Sequence, residues 1–121
     1  MEGPWAAQDW MRRAAFFDQL ASLLDAGIPL VAALRHLAVH PPRQTVARCL
    51  RKAVERIQQG ATLLEALRGS DLRLDPLEWA AMEAGERSGR LVACLRRLAE
   101  EARQRADLSR TMWSGLAYPL F

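Results

Sequence analysis

From Ala14 onward, apolar residues return along the chain at steps of three and four. Phe16, Phe17, Leu20, Leu23 and Leu24 mark one face of a first helix, and Gly27 ends it at the point where a left-handed residue is needed. Pro29 suits the opening turn of a second helix, Leu30 to about Val39, which Pro41-Pro42 terminates. A third helix is predicted from about Arg43 to Gln59. Its inward positions are Val46, Leu50, Val54 and Ile57, its outward ones Arg43, Arg48, Arg51, Lys52 and Arg56, and Gly60 stops it. Thr62-Leu63-Leu64-Glu65 has the form of a capping box, in which the threonine accepts from the backbone of the glutamate and the glutamate reaches back. It opens a short fourth helix that closes at Gly69. Asp75-Pro76-Leu77-Glu78 repeats the signature, so a fifth helix spans about Pro76 to Ala84. Gly85 and Gly89 make the next stop. A sixth helix starts near Gly89 and meets no breaker before Pro119, a rod of roughly 45 Å if unbroken.

Only the first half of that rod, with Leu91, Leu95, Leu98 and Ala102 on one stripe, can pack on the other helices; its second half must leave them. Residues 1–13 therefore read as an N-terminal segment, 14–111 as one helical domain, and 112–121 as something else that grows steadily more apolar. A short pattern also recurs. Gly27-Ile28-Pro29-Leu30-Val31-Ala32-Ala33-Leu34 aligns without gaps with Gly60-Ala61-Thr62-Leu63-Leu64-Glu65-Ala66-Leu67, and Gly89-Arg90-Leu91-Val92-Ala93-Cys94-Leu95 follows with one residue fewer. A glycine turn leading into a leucine-alanine face fits either a duplication or the general form of a helical hairpin.

Composition agrees with an all-α fold, being half hydrophobic, rich in Ala, Leu and Arg, and poor in Ile, Thr and Tyr. The 121 residues suffice for one domain with a real core. A net charge of +3, with Lys52 the only lysine, is too small to demand a nucleic acid or a membrane surface and fits a solvated basic face. Met1-Glu2-Gly3-Pro4 does not read as a secretory leader, and no run of eighteen apolar residues occurs. Cys49 and Cys94 lie inside helical patterns without metal or redox spacing and read as small core residues.

Catalytic constellations are not apparent. His36 and His40 are four apart, as metal ligands can be, but no glutamate or third ligand accompanies them and the helix is ending at His40. Glu83 and Glu86 offer one carboxylate pair, a minimal cation site, and ion pairs to Arg87 or Arg90 are the plainer expectation. Neither a phosphate-binding glycine loop nor a nucleophile beside a base is present. No enzyme, no cofactor and no bound metal is expected. The alternative reading is DNA binding. Leu20 to Pro29 has the shape of a helix and turn that would introduce a recognition helix, yet the next helix offers only Arg35 and His36 to base edges, so nucleic acid is not the expected partner.

Three motifs in order carry a family resemblance. Phe17-Asp18-Gln19-Leu20-Ala21-Ser22-Leu23-Leu24-Asp25-Ala26-Gly27-Ile28-Pro29-Leu30 resembles the opening signature of the type II secretion F-protein domain, shared with the type IV pilus platform protein PilC. Glu83-Ala84-Gly85-Glu86-Arg87-Ser88-Gly89-Arg90-Leu91 resembles its second signature, and Tyr118-Pro119-Leu120 the Tyr-Pro that opens its first transmembrane helix. The resemblance implies a compact antiparallel bundle of six helices on the cytoplasmic side of a bacterial inner membrane. Its long last helix would lead to a membrane span after Phe121. It also implies a non-enzymatic scaffold that binds the secretion or pilus assembly ATPase and other inner-membrane assembly proteins. Arg103, Arg105 and Arg110, just before the apolar tail, are where the positive-inside rule would put them. Gly27, Pro29, Glu83, Gly85, Glu86, Ser88, Gly89, Tyr118 and Pro119 are the candidate motif and partner-contact residues. The sequence leaves open a homodimer and the choice between secretion and pilus machinery.

Overall fold

Three glycines set the hairpins of this fold, and they do so by the same hydrogen bonds. The computed structural model describes residues 10–39 and 44–117, with side chains through residue 108. Gly27, Gly60 and Gly89 all have left-handed backbones, with φ of 88°, 106° and 76°. In each turn the residue after the glycine donates to the carbonyl five positions earlier: Ile28 to Leu23, Ala61 to Arg56 and Arg90 to Gly85, at 3.0, 3.0 and 2.9 Å. That six-to-one bond satisfies a helix-end carbonyl, and a side chain on the glycine would strain the conformation that makes it. The recurring sequence pattern is thus a recurring turn.

The turns join six helices and no strand occurs among the described residues: α1 (Trp10–Asp25), α2 (Leu30–Val39), α3 (Gln44–Gln58), α4 (Leu63–Arg68), α5 (Pro76–Ser88) and α6 (Leu91–Ala117). Two boundaries differ from the periodicity. Among the described residues α1 already includes Trp10, one turn before Ala14, and the Trp10 ring stacks with the guanidinium groups of Arg13 and Arg105, whose carbon atoms are 4.3 and 4.7 Å from its centre. α5 runs on to Ser88 through Gly85, which is helical; of the two glycines only Gly89 ends the helix.

The core is one cluster. Phe17, Leu20, Leu34, Leu50, Leu63, Leu67, Met82 and Leu95 are fully buried, and alanines at 21, 33, 53, 66 and 99 let the helices approach closely between them. α3 buries Val46, Leu50 and Val54 as its pattern predicts. α2 buries Ala33, Leu34, Leu37 and Ala38, and its exposed polar residues are Arg35 and His36. It is a core helix with no polar reading face.

α1 and α6 share the longest seam and run antiparallel. Asp25 meets Arg96 at 3.3 Å and Asp18 meets Arg103 at 3.9 Å, both at the surface, where such pairs contribute about 0–1 kcal/mol each. α6 buries Leu95, Leu98, Ala99, Ala102 and Ala106, then continues to Ala117, about 40 Å in all. No helix among the described residues is long and apolar enough to cross a membrane.

Candidate functional site

The second signature lies at the end of α5, and its glutamates do different things. Glu86 is half-buried and turns toward α4, 23 residues away in sequence: its Oε2 accepts the backbone N–H of Leu63 at 2.9 Å, and its Oε1 that of Leu64 at 3.3 Å. The expected capping box is also there. Thr62 N–H donates to Glu65 Oε1 at 3.0 Å, and Glu65 N–H donates to Thr62 Oγ1 at 3.1 Å. All four donors of the first turn are therefore satisfied by carboxylate or hydroxyl oxygens. α4 has only six residues and would not be stable alone, so the carboxylate from α5 is part of what makes it a helix. The sequence makes Glu86 a candidate partner contact. Its position in the bundle instead makes it a bolt between α4 and α5.

Glu83 faces outward, its Oε2 2.6 Å from an Arg87 nitrogen one turn on. The two carboxylates thus serve separate partners, and among the described residues no group of three or more His, Cys, Asp or Glu side chains could hold a metal ion. His40 lies outside the described residues.

Gly85 is where α5 and α6 touch. A Cβ there would come within 2.8 Å of Cys94 Sγ, 2.9 Å of Cys94 Cβ and 3.2 Å of Leu91 Cα. Its freedom from a side chain is needed for this contact, whereas at Gly89, with nothing within 4 Å of a Cβ, the requirement is backbone conformation alone. Ser88 Oγ donates to the Gly85 carbonyl at 3.4 Å. In the first signature, Gly27 forms the α1–α2 turn and the Pro29 carbonyl accepts from Ala33 at 2.9 Å, opening α2. Asp25, two residues before Gly27, pairs with Arg96, so this turn and the α5–α6 turn lie toward the same end of the bundle. Glu86 draws the α3–α4 turn there too. Tyr118 and Pro119 lie outside the described residues.

The opposite end holds a cluster that the sequence did not reveal. Glu78 and Arg13 are both 8% exposed at their side chains, with Glu78 Oε2 3.6 Å from Arg13 Nε. Glu78 Oε1 accepts the Asp75 N–H at 2.9 Å, and Asp75 Oδ2 accepts from Arg105 at 3.1 Å. Burial pushes the Glu78 carboxyl above its ordinary range, outweighing the Asp75 hydrogen bond and the Arg13 charge that pull it down. The spacing from Asp75 marked Glu78 as a capping residue. It is buried with the Arg13 side chain of α1 against it, a contact that no local pattern reports.

Chemically these arrangements hold helices together. The thiol of buried Cys49 is pushed up chiefly by burial, which makes it a poor nucleophile at neutral pH. A groove of about 530 Å³ between α2 and α3 is lined by Arg35, Val39, Arg51 and Glu55 among others.

The family model for type II secretion system (T2SS), protein F matches residues 16–121. A type IV pilus assembly protein PilC from Myxococcus xanthus is 32% identical over 105 residues, 87% of this chain and 25% of its own length. A type II secretion system protein F from Vibrio cholerae is 30% identical over 102 residues, 84% of this chain and 25% of that protein. A protein transport protein HofC homolog from Escherichia coli is 30% identical over 109 residues, 90% of this chain and 27% of that protein. The chain thus spans about a quarter of the length of these relatives. With a six-helix bundle that carries both turn signatures, this chain belongs to the type II secretion system protein F family.

Proposed function

We propose that residues 14–111 are a non-enzymatic scaffold domain on the cytoplasmic side of a bacterial inner-membrane platform protein for type II secretion or type IV pilus assembly. In this reading it binds the assembly ATPase and other inner-membrane components, and residues 112–121 begin a membrane span. The observation that carries it is the family match over residues 16–121 of a bundle whose buried and half-buried glutamates Glu78 and Glu86 serve helix caps. The length of α6 supports the same reading, because it runs on past Ala106, the last buried position of its stripe among the described residues, toward an apolar tail. Within the second signature, Glu83 is the acidic residue still presented to solvent and is the proposed partner contact. Glu86 contributes by holding α4 in place.

The test is expression of the longer native chain followed by cell fractionation and pull-down of the assembly ATPase. Recovery in the membrane fraction, with ATPase capture weakened by Glu83→Lys, is expected. A fully soluble protein without a membrane-embedded continuation after Phe121 overturns the proposal.

A further inference from the structure

Charge is unevenly spread along this chain, and the surplus falls on one hairpin. Residues 28–60 hold six of the 17 basic side chains, Arg35, Arg43, Arg48, Arg51, Lys52 and Arg56, but one of the 14 acidic ones, Glu55. The rest of the chain, with 11 basic and 13 acidic residues, is slightly acidic. Ion pairing follows the same division. On α6, Arg96, Arg103 and Arg105 meet Asp25, Asp18 and Asp75. On the α2–α3 hairpin, Lys52 Nζ lies 3.5 Å from Asp71 Oδ2, but among the described residues no carboxylate pairs with Arg35, Arg48 or Arg51. These arginines edge the groove between the two helices. Arg35 stands on its α2 wall and Arg51 on its α3 wall, and Ala38, Val39 and Val54 share the lining. Ala38 and Val54 are buried and form a floor, whereas Val39 is 69% exposed, a large apolar side chain left in water. Arg48 extends the α3 wall of Arg51, Glu55 and Gln58 by one turn. Glu55 belongs to that wall too, and the three unpaired arginines outnumber it.

We propose that the α2–α3 groove receives an acidic amphipathic helix of a partner protein, which sets apolar side chains on Ala38, Val39 and Val54 and carboxylates on Arg35, Arg48 and Arg51. The inference goes beyond the proposed contact at Glu83, which lies on α5, and it holds whether or not α6 enters a bilayer. Two helices side by side leave a groove into which a third can pack by the same ridge-and-groove contacts that build a core. Unpaired guanidinium groups at the rim favour an acidic partner and repel a basic one, which acts on specificity and association rate more than on affinity. Affinity comes from removing Val39 from water. A second copy of the chain complements the groove less well, because its surface carboxylates at Asp18, Asp25, Glu83 and Glu100 are engaged by its own arginines. Nucleic acid is a poorer match again: a phosphate backbone gains nothing from an exposed valine above an apolar floor, and the groove has no aromatic ring on which a base could stack.

The test uses the 121-residue chain and synthetic peptides of about 18 residues, long enough to form a helix. One peptide carries leucines on one helical face and glutamates on the other, a second has the same composition scrambled so that no face remains, and a third has lysine in place of glutamate. Fluorescence anisotropy at low salt measures their binding. The acidic amphipathic peptide is expected to bind about tenfold more tightly than either of the others. Arg35→Glu/Arg51→Glu and Val39→Gln should each weaken it about tenfold. Arg90→Glu/Arg97→Glu, the same change in net charge on other exposed arginines, should leave it within about twofold of the parent. All five substituted side chains are exposed, and circular dichroism verifies that each variant is folded. Equal binding of the scrambled peptide, or an equal loss in the Arg90→Glu/Arg97→Glu control, would show diffuse attraction without docking and overturn the proposal, as would no binding of the acidic peptide at all. A random-sequence DNA duplex that binds more tightly than the peptide and is lost in Arg35→Glu/Arg51→Glu would assign the face to nucleic acid instead. Sedimentation velocity without peptide covers the remaining occupant: a dimer that Val39→Gln dissociates would assign the groove to a second copy of the chain and overturn the proposal. None of these outcomes bears on membrane recovery or ATPase capture, so the scaffold reading stands or falls separately.

Discussion

Removing the Glu86 carboxylate should destabilise the domain more than any other single change on its exposed or half-buried surface. Glu86→Ala leaves the Leu63 and Leu64 N–H groups without acceptors at the start of a helix whose first residue is 2% exposed. Water cannot easily replace the carboxylate at Leu63. Hydrogen bonds to a charged acceptor contribute about 1.5–3 kcal/mol, and a stranded buried donor costs about 1–3 kcal/mol. The 3.3 Å bond to Leu64 is at the long end and adds less. Half-burial reduces the sum, and about 2–3 kcal/mol remains once the interaction with the helix dipole is included. For a domain of this size that lowers the thermal midpoint by about 10 °C. Glu86→Gln keeps one acceptor oxygen for Leu63 but turns an amide donor toward a donor, and should lose about 1–2 kcal/mol. Glu83→Ala is the control, since its exposed pairing with Arg87 is worth about 0.3–0.5 kcal/mol. Urea and thermal unfolding followed by far-ultraviolet circular dichroism measure all three. A Glu86→Ala midpoint within error of Glu83→Ala would show that α4 does not depend on the tie, and the assignment of Glu86 to fold rather than to partner binding would fail.

The two signature glycines should differ in kind. Gly85→Ala should cost about 1–3 kcal/mol by crowding Cys94 and Leu91, offset only in part by the better helix propensity of alanine, and Cys94→Gly in the same chain should recover part of the loss; additive effects in chemical denaturation would mean the close contact is not the cause. Gly89→Ala should cost about 1 kcal/mol from its left-handed backbone, Gly89→Asn should cost less, and Cys94→Gly should rescue neither. Glu78 gives the pH dependence. Its folded carboxyl titrates above the ordinary value of 4.5, so the folded state holds its proton more tightly than the unfolded chain does, and the ionised form costs stability as pH rises through that window. Glu78→Gln, permanently neutral, should therefore gain stability relative to the parent between pH 4 and pH 7.5 in urea titrations. A relative loss over the same range would mean that the Arg13 ion pair outweighs desolvation.

Local chemistry carried most of the fold into the sequence. The capping box at Thr62, the proline at the start of α5 and the three turn glycines depend on residues within five positions of one another, and each is found where its pattern placed it. What stayed hidden was set across the bundle. Trp10, in the first described turn of α1, stacks with Arg105, 95 residues later, and Glu78 is buried with Arg13 of α1 against it. Glu86 looked like a surface residue because nothing near it in sequence is its partner.

The same contrast alters how the second signature should be read. A run of Gly, Glu, Ser and Gly at a helix end suggests a contact site, since exposed polar residues at a turn have little else to do. Here most of the run has structural work. Gly85 lets α6 approach, Ser88 returns a hydrogen bond to the Gly85 carbonyl, Gly89 reverses the chain, and Glu86 completes the first turn of α4. Their joint effect is to fix the α3–α4 turn against the α5–α6 turn, so that two of the three hairpins move as one piece. A substitution that loosens this joint would disturb any partner bound at that end without touching it. Loss of ATPase capture in a Glu86 variant would thus report on the scaffold, and only Glu83, whose removal leaves the joint intact, can test the contact itself.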